Sequence, residues 1–342
     1  MNSIKSAVKL VSCFVQYQMR KEKVLCLPIR LWIETSSICN LKCVMCPNKN
    51  LPRDQKGIMD FDLFKKIIDE CSNFARDVYL HHRGEPLLNP RIFDMTSYAS
   101  AAGLKTRMHT NGTLLTKDKA EEMLKSGIDM ISFSVDGFTR ESYEKVRVGA
   151  NFEETISNIV YFANLKKQKG KRKPYIVVER IAFKTQEIVA PIEKVKQLEK
   201  ELKEAGVDEI ITKEEYIWAE EDVKLPENLK RQYCVCTFPW YAMVICANGS
   251  VLACPQDYRA VMKMGDVNKE RLSQIWNGDA YRQLRKAFVN NLDSLTLCSK
   301  CDRLCRKTIF GLPVQYMVTF ITDQLLGYNK LRRLLGTHER NL

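Results

Sequence analysis

Nothing in this sequence marks it for export or for crossing a bilayer. No secretory signal opens it: the apolar run at residues 8–15 is short and lacks a small-residue cleavage site. Without export a disulfide framework is not expected, so clustered cysteines read as metal ligands and the expected location is the cytoplasm. The most apolar late stretch, residues 314–335, is interrupted by Gln315, Asp323 and Gln324 and does not read as a spanning helix. Acidic residues are in short supply, 41 against 54 lysines and arginines, which leaves a net charge of +13. That surplus favours an anionic partner: a phosphorylated small molecule, a nucleotide sugar, an acidic lipid surface or nucleic acid. Basic and aromatic residues do not interleave in a stripe, which counts against nucleic acid. The run Lys166, Lys167, Lys169, Lys171, Arg172 and Lys173 reads as a charged loop. No internal repeat or low-complexity segment uses up the 342 residues. They suit a core of about 200 to 250 residues plus a smaller unit.

What the chain has in excess is cysteine, thirteen in all. Cys39, Cys43 and Cys46 form one group. Cys234, Cys236, Cys246, Cys254, Cys298, Cys301 and Cys305 form another. Cys13, Cys26, Cys71 and Cys246 read as buried small hydrophobes.

Strand-like segments are expected at residues 31–35, 77–81, 104–109, 130–135, 175–183 and 209–212, the first five rich in apolar or β-branched residues and too short for a helix. Helical patterns lie between them. Residues 61–71 follow Asp60 as N-cap, 117–126 follow Thr116, and 192–205 stop at Gly206. Six βα units in series predict a parallel α/β domain, a partial (β/α)6 TIM-like barrel. Such folds place their chemistry at the C-terminal ends of the strands. There the sequence puts the first cysteine group, then Arg83-Gly84-Glu85-Pro86, Thr110-Asn111-Gly112, Ser134 with Asp136-Gly137, and Glu179-Arg180. His81, His82 and His109 also fall at strand ends and read as rim packing. Asn248-Gly249 signals a hairpin in a small second domain. The expected divisions are an extension at 1–27, the core at 28–215, the cluster domain at 216–310 and an amphipathic tail at 311–342.

Three thiolates from one tight loop leave one iron of a [4Fe–4S] cube open, since a cube normally takes four cysteines; zinc with a distant fourth ligand is the competing use. Over residues 28–215 the chain resembles the radical S-adenosylmethionine (SAM) enzymes, on Cys39-Asn40-Leu41-Lys42-Cys43-Val44-Met45-Cys46-Pro47 and the rim motifs. The resemblance implies that Cys39, Cys43 and Cys46 hold a SAM-chelating cluster, whose reduction yields methionine and a 5′-deoxyadenosyl radical. Gly84, Glu85 and Pro86 match the segment that meets the methionine amino group, with Arg83 where a first glycine is commoner. Ser134 and Asp136 match the ribose site, Thr110 and Asn111 lie beside it, and Glu179 or Arg180 meets the carboxylate or ribose.

The second group resembles the C-terminal SPASM or twitch domains of the same enzymes. The carriers are Cys236, the Gly249-x4-Cys254 spacing, Cys298-x-x-Cys301, Phe238-Pro239-Trp240, Gly265-Asp266-Val267 and Ile275-Trp276-Asn277-Gly278. This implies one auxiliary [4Fe–4S] cluster on Cys236, Cys254, Cys298 and Cys301, with Cys234 or Cys305 as substitutes and structural zinc as the alternative. Asp257 is a candidate base. The leading expectation is hydrogen abstraction from a small polar substrate, sugar- or aminocyclitol-like, fed by an electron donor such as flavodoxin or ferredoxin. The alternatives are maturation of a ribosomal peptide or protein, which the short segment before Cys39 disfavours, and a non-catalytic metal-stapled binding protein. In the tail, Val314, Met317, Val318, Ile321, Leu325 and Leu326 can share a helical face followed by Arg332 and Arg333, a candidate for contact with a membrane surface or for packing on the barrel.

Overall fold

The computed structural model describes residues 3–182, 191–214, 234–301, 304, 308–309 and 312–313. After helix α1 (Ser3–Gln18), strand and helix alternate: β1 (Arg30–Ile33), α2 (Phe61–Cys71), β2 (Asp77–Tyr79), α3 (Ile92–Ala101), β3 (Lys105–Thr110), α4 (Lys117–Lys125), β4 (Met130–Ser134), α5 (Arg140–Val146), α6 (Phe152–Gln168), β5 (Tyr175–Ala182), α7 (Ile192–Ala205) and β6 (Glu209–Glu214). All six expected strands are present. They lie parallel in sequence order, β6-β5-β4-β3-β2-β1, as an open rather than closed barrel.

Local chemistry sets the boundaries. The Asp60 carboxylate accepts from the Asp62 and Leu63 backbone N–H groups at 2.8 and 3.2 Å, which serves two donors that the first turn of α2 cannot pair internally. Gly206 ends α7 at φ 113°, a conformation that any side chain would strain. Register is pinned at the strand starts, where Arg30 sits opposite Asp77 and forks onto its carboxylate at 2.7 and 2.6 Å. Both groups are buried, so their geometry is specified as well as their charge. One expectation is corrected here. The basic run does not begin in a loop: Lys166 and Lys167 complete α6, and Lys166 is buried against Asp208 at 2.6 Å.

Residues 234–301 continue the same sheet. Strand β7 (Ala242–Ile245) pairs in parallel with β1, and β8 (Ser250–Leu252) and β9 (Lys263–Asp266) add antiparallel, so one nine-stranded sheet spans both regions. The expected hairpin joins β7 to β8, with Gly249 at φ 89°. Pairing covers the edge that β1 would otherwise expose. Trp240, Met243, Ile245, Trp276 and Tyr281 then share one buried cluster with Leu31, Phe64 and Val78.

The N-terminal extension is bound to the same region. The Tyr17 hydroxyl donates to Val235 O at 2.7 Å, and Val24 and Asn277 exchange two hydrogen bonds at 2.9 and 2.8 Å. Cys13 and Cys26, expected as separate buried residues, form a disulfide. They meet because α1 folds back over residues 26–29, where Leu10, Cys13, Cys26 and Ile29 make a satellite core. The join depends on Arg285, which is fully buried and donates to three carbonyls from three segments: Pro239 O and Glu22 O at 2.9 Å and Trp276 O at 2.8 Å. Its guanidinium also lies 4.6 Å from the Trp276 ring. Arg285→Ala strands these acceptors and is expected to lower stability by about 3 kcal/mol, read as a drop in Tm.

Among the described residues no helix is long and apolar enough to cross a membrane. Cys305, the boundary at 215–216 and the tail from residue 314 lie outside the described residues.

Candidate active site

The chain leaves β1 at Glu34 and reaches Cys39, Cys43 and Cys46 within a dozen residues. All three line one cavity with residues from the C-terminal ends of β2, β3, β4 and β5. Backbone bonds hold the cysteine loop from the side: Lys42 N–H donates to Val148 O at 2.9 Å and Val44 N–H to Val146 O at 3.0 Å. Gly84 holds it from beneath. A Cβ there would lie 2.4 Å from Ser36 O and 2.5 Å from Ile38 O, so only glycine permits the approach.

Glu85 ties this layer together. Its buried carboxylate accepts from Thr110 Oγ1 at 2.7 Å, Asn111 N at 2.8 Å and Leu87 N at 3.0 Å. Burial raises its pKa, and these donors offset that only in part. A carboxylate has about four acceptor positions, so one remains for an ammonium group. The Asn111 amide donates to Asn40 Oδ1 at 3.0 Å, which links β3 to the cysteine loop. Glu85, Thr110, Asn111 and Ser134 therefore surround the three thiols, and Gly84 with them.

Other expected residues fall elsewhere. Pro86 opens a buried turn. Asp136 does not line the cavity: Oδ2 accepts from Arg147 at 2.6 Å and Oδ1 from Ile181 N–H at 2.8 Å. It positions Arg147, whose Nη1 lies 4.0 Å from Cys43 Sγ. Of the pair on β5, Glu179 faces inward, ion-paired with Lys213 and 3.7 Å from His109 Nδ1. Burial alone would raise its pKa, but Lys213 and His109 bring it down to about 2. Arg180 faces the other way, 5.0 Å from the Phe138 ring. Asp257 is a loop staple. Its oxygens accept from Val261 N and Met262 N at 2.8 and 2.7 Å, and it does not line the cavity that holds Cys39, Cys43 and Cys46.

Several rim residues carry roles that the sequence did not assign to them. His81 and His109 stack at 4.3 Å and line the cavity. His81 Nδ1 accepts the His109 backbone N–H at 3.2 Å, so its ring is neutral and presents Nε2–H as a donor. Burial lowers both imidazole pKa values. Arg83 forks onto Glu34 at 2.6 and 3.0 Å, both side chains buried. Burial pushes the Glu34 pKa up, but the Arg83 guanidinium and the His82 ring beside it outweigh burial and bring it down to about 2. Glu34, His82 and Cys246 place ligand-type atoms within 4.8 Å of one another. The Arg83 guanidinium already supplies the counter-charge a metal would bring, so this group reads as an ion-pair network. Only one local signal, the Arg83 departure from double glycine, pointed toward it.

The donor chemistry of both cysteine groups fits clusters. Burial pushes Cys39 up to about 11, and Glu85, Cys43 and Cys46 add to the shift. Cys236, Cys254, Cys298 and Cys301 also crowd together. Burial, then Cys254, Cys301 and Cys234 nearby, raises Cys236. Burial, then Cys254, Cys236 and Cys301, raises Cys298. Thiols packed this closely resist ionising together unless a cation shares the site. The first set offers three ligands and the second four. The Cys234 backbone N–H pairs with Leu304 O at 2.8 Å.

A profile of the radical SAM superfamily matches residues 33–171, and one of the SPASM iron–sulfur cluster-binding domain matches residues 234–302. The chain is 34% identical over 157 residues to a tungsten-containing aldehyde ferredoxin oxidoreductase cofactor-modifying protein of Pyrococcus furiosus, which covers 45% of this chain and 44% of that one. It is 24% identical over 284 residues to the S-adenosyl-L-methionine-dependent 2-deoxy-scyllo-inosamine dehydrogenase of Niallia circulans, covering 81% and 93%. The chain thus spans less than half the length of the first of these relatives and most of the second. Among solved structures, BtrN in complex with AdoMet and 2-DOIA superposes with a TM-score of 0.51 at 21% identity, over 80% of this chain and 93% of that one. Streptococcus suis SuiB bound to its precursor peptide SuiA gives 0.61 at 16% identity, over 85% and 74%. Both likenesses concern the fold. The chain belongs to the radical SAM superfamily, an enzyme with a C-terminal SPASM domain whose cofactors are S-adenosylmethionine and [4Fe–4S] clusters, one of them auxiliary.

Proposed function

We propose that this enzyme oxidises a small polar substrate, sugar- or aminocyclitol-like, by removing hydrogen from a carbon that bears a hydroxyl. The observation that carries the reading is the second thiol set: four cysteines brought together among the described residues, enough to ligate one cube fully. A closed cube has no position for SAM but can take an electron. The dehydrogenase match over nearly the whole relative supports the same reading.

Cys39, Cys43 and Cys46 would hold the SAM-binding cluster, and Cys236, Cys254, Cys298 and Cys301 the auxiliary one. When bound, the first supplies the electron that splits SAM into methionine and a 5′-deoxyadenosyl radical, and the second supplies an electron acceptor of fixed ligation. Glu85 holds its remaining acceptor position toward the methionine ammonium. Ser134 offers a hydroxyl to the ribose. Asp136 acts through Arg147, which it keeps beside Cys43. His81 presents a neutral donor into the cavity, suited to a substrate hydroxyl. The domain divisions expected at 27, 215 and 310 are retained as proposals, with the merged sheet joining the two central parts. Radical SAM chemistry needs an electron donor, and flavodoxin or ferredoxin is proposed for it.

The test is anaerobic reconstitution with SAM, dithionite and a panel of polyols and aminocyclitols deuterated on carbon. The expected result is 5′-deoxyadenosine that carries deuterium from one substrate class. Stimulation by a peptide and by no polyol would overturn the substrate reading in favour of peptide maturation.

A further inference from the structure

Tyr258 belongs to the auxiliary region, four residues past Cys254, yet its hydroxyl lies 3.4 Å from Cys46 Sγ in the first cysteine loop. The same hydroxyl lies 2.8 Å from Arg83 O. The ring is buried, and its segment is clamped from the β2 end. Arg83 Nη1 donates to Tyr258 O at 3.3 Å, and His82 Nε2 donates to Pro255 O at 3.1 Å, a carbonyl being able only to accept. Asp257 N–H donates to Cys254 O at 3.1 Å, and the Asp257 carboxylate braces the following turn.

A hydroxyl has one hydrogen to give. While Cys46 is a thiol, its S–H can point at the Tyr258 oxygen and Tyr258 can donate to Arg83 O. A cysteine that ligates iron has lost that hydrogen, and its sulfur can only accept. Arg83 O does not depend on Tyr258, because the buried Asn48 amide donates to it at 2.7 Å. We infer that in the cluster-loaded enzyme the Tyr258 hydroxyl donates to the Cys46 sulfur, so that the auxiliary-cluster loop sets the reduction potential of the SAM-binding cluster. This rests on Cys46 being a ligand of that cluster.

The physics is simple. Reduction adds one electron, supplied in the test by dithionite, and no proton. The negative charge delocalises onto the thiolate sulfurs. A hydrogen aimed at one of them stabilises the reduced state more than the oxidised one and moves the potential upward. Because the donor sits so close to Cys254, disturbing the auxiliary site displaces it. Tyr258 is a positioning and tuning residue, not one that touches substrate.

The experiment compares full-length wild type and Tyr258→Phe, both reconstituted anaerobically, by redox titration followed with EPR. The SAM-binding cluster is identified as the signal that SAM perturbs. Tyr258→Phe is expected to keep its full iron content and to show a more negative midpoint. At a fixed poise about tenfold less of the cluster is reduced, equivalent to about 59 mV for one electron. An unchanged or more positive midpoint at full iron loading overturns the inference. If Tyr258→Phe fails to load iron, 3-fluorotyrosine at position 258 keeps the shape and donates more strongly. The midpoint must then rise, and no rise overturns the inference. A wild-type protein without a SAM-perturbed signal would instead refute the assignment of Cys39, Cys43 and Cys46.

Discussion

Cys43→Ala in the full-length protein is expected to reduce 5′-deoxyadenosine formation to background while about half of the iron remains. By ligand count the wild type carries about eight irons in two cubes. Removing one thiol from Cys39, Cys43 and Cys46 leaves two, too few to hold a cube with one iron open to SAM. The other four thiols lie outside the strands in the C-terminal region and keep their cluster, so about four irons should stay. The fold should survive. The loop is held by the Lys42 and Val44 backbone N–H groups, which donate to Val148 O and Val146 O at 2.9 and 3.0 Å and do not involve the Cys43 side chain. Truncating one buried sulfur costs on the order of 1–2 kcal/mol. Iron and sulfide analysis alongside product chromatography decides the matter. Retained 5′-deoxyadenosine would remove Cys43 from the ligand set. Loss of all iron would show that the two sites do not load independently.

How much of this was legible in the sequence follows from which interactions are local. The βα alternation could be read because strands and helices differ in apolar period, and because Asp60, Thr116 and Gly206 act on backbone groups within a few residues of themselves. The first cysteine loop could be read for the same reason. The pairing of β7 with β1 could not, since 212 positions separate Arg30 from its partner Ala242 and nothing in either segment names the other. The same separation hid Tyr258 beside Cys46, and Arg285 was hidden because its partners come from three segments, at residues 22, 239 and 276. Asp136 shows a subtler limit. Its place at a strand end was right, but its partner Arg147 arises from the end of α5, so position alone could not separate a ligand-binding carboxylate from one that holds an arginine. On β5, period two required that one of Glu179 and Arg180 face inward. Choosing between them needed Lys213 on β6 and His109 on β3.

Gly84→Ala is the second substitution expected to have a large effect, and it tests whether close approach of backbones builds the site. The added Cβ would meet Ser36 O at 2.4 Å, Ile38 O at 2.5 Å and Ser37 C at 2.6 Å. All three are main-chain atoms, so no side-chain rotation relieves the overlap, and the two loops must part by roughly an ångström. That would break the bond from Glu85 N–H to Ile38 O, now 2.8 Å, and shift Ile38, which directly precedes Cys39. It would also carry the Glu85 carboxylate away from Thr110 and Asn111. Misplacement on the order of 1 Å at a positioned site costs about a hundredfold in rate, and SAM cleavage should fall by at least that much. Overpacking adds roughly 1–3 kcal/mol of destabilisation, visible as a lower Tm. Gly57→Ala is the matched control. It lies on the segment whose carbonyl accepts from Ser37 N–H, yet its Cβ would meet nothing within 4 Å. If the two variants bind SAM and cleave it equally well, contact between the loops does not hold the carboxylate at the cluster. If only Gly84→Ala fails, the glycine is there because a methyl group would separate the residues that bind SAM from the cysteines that bind iron.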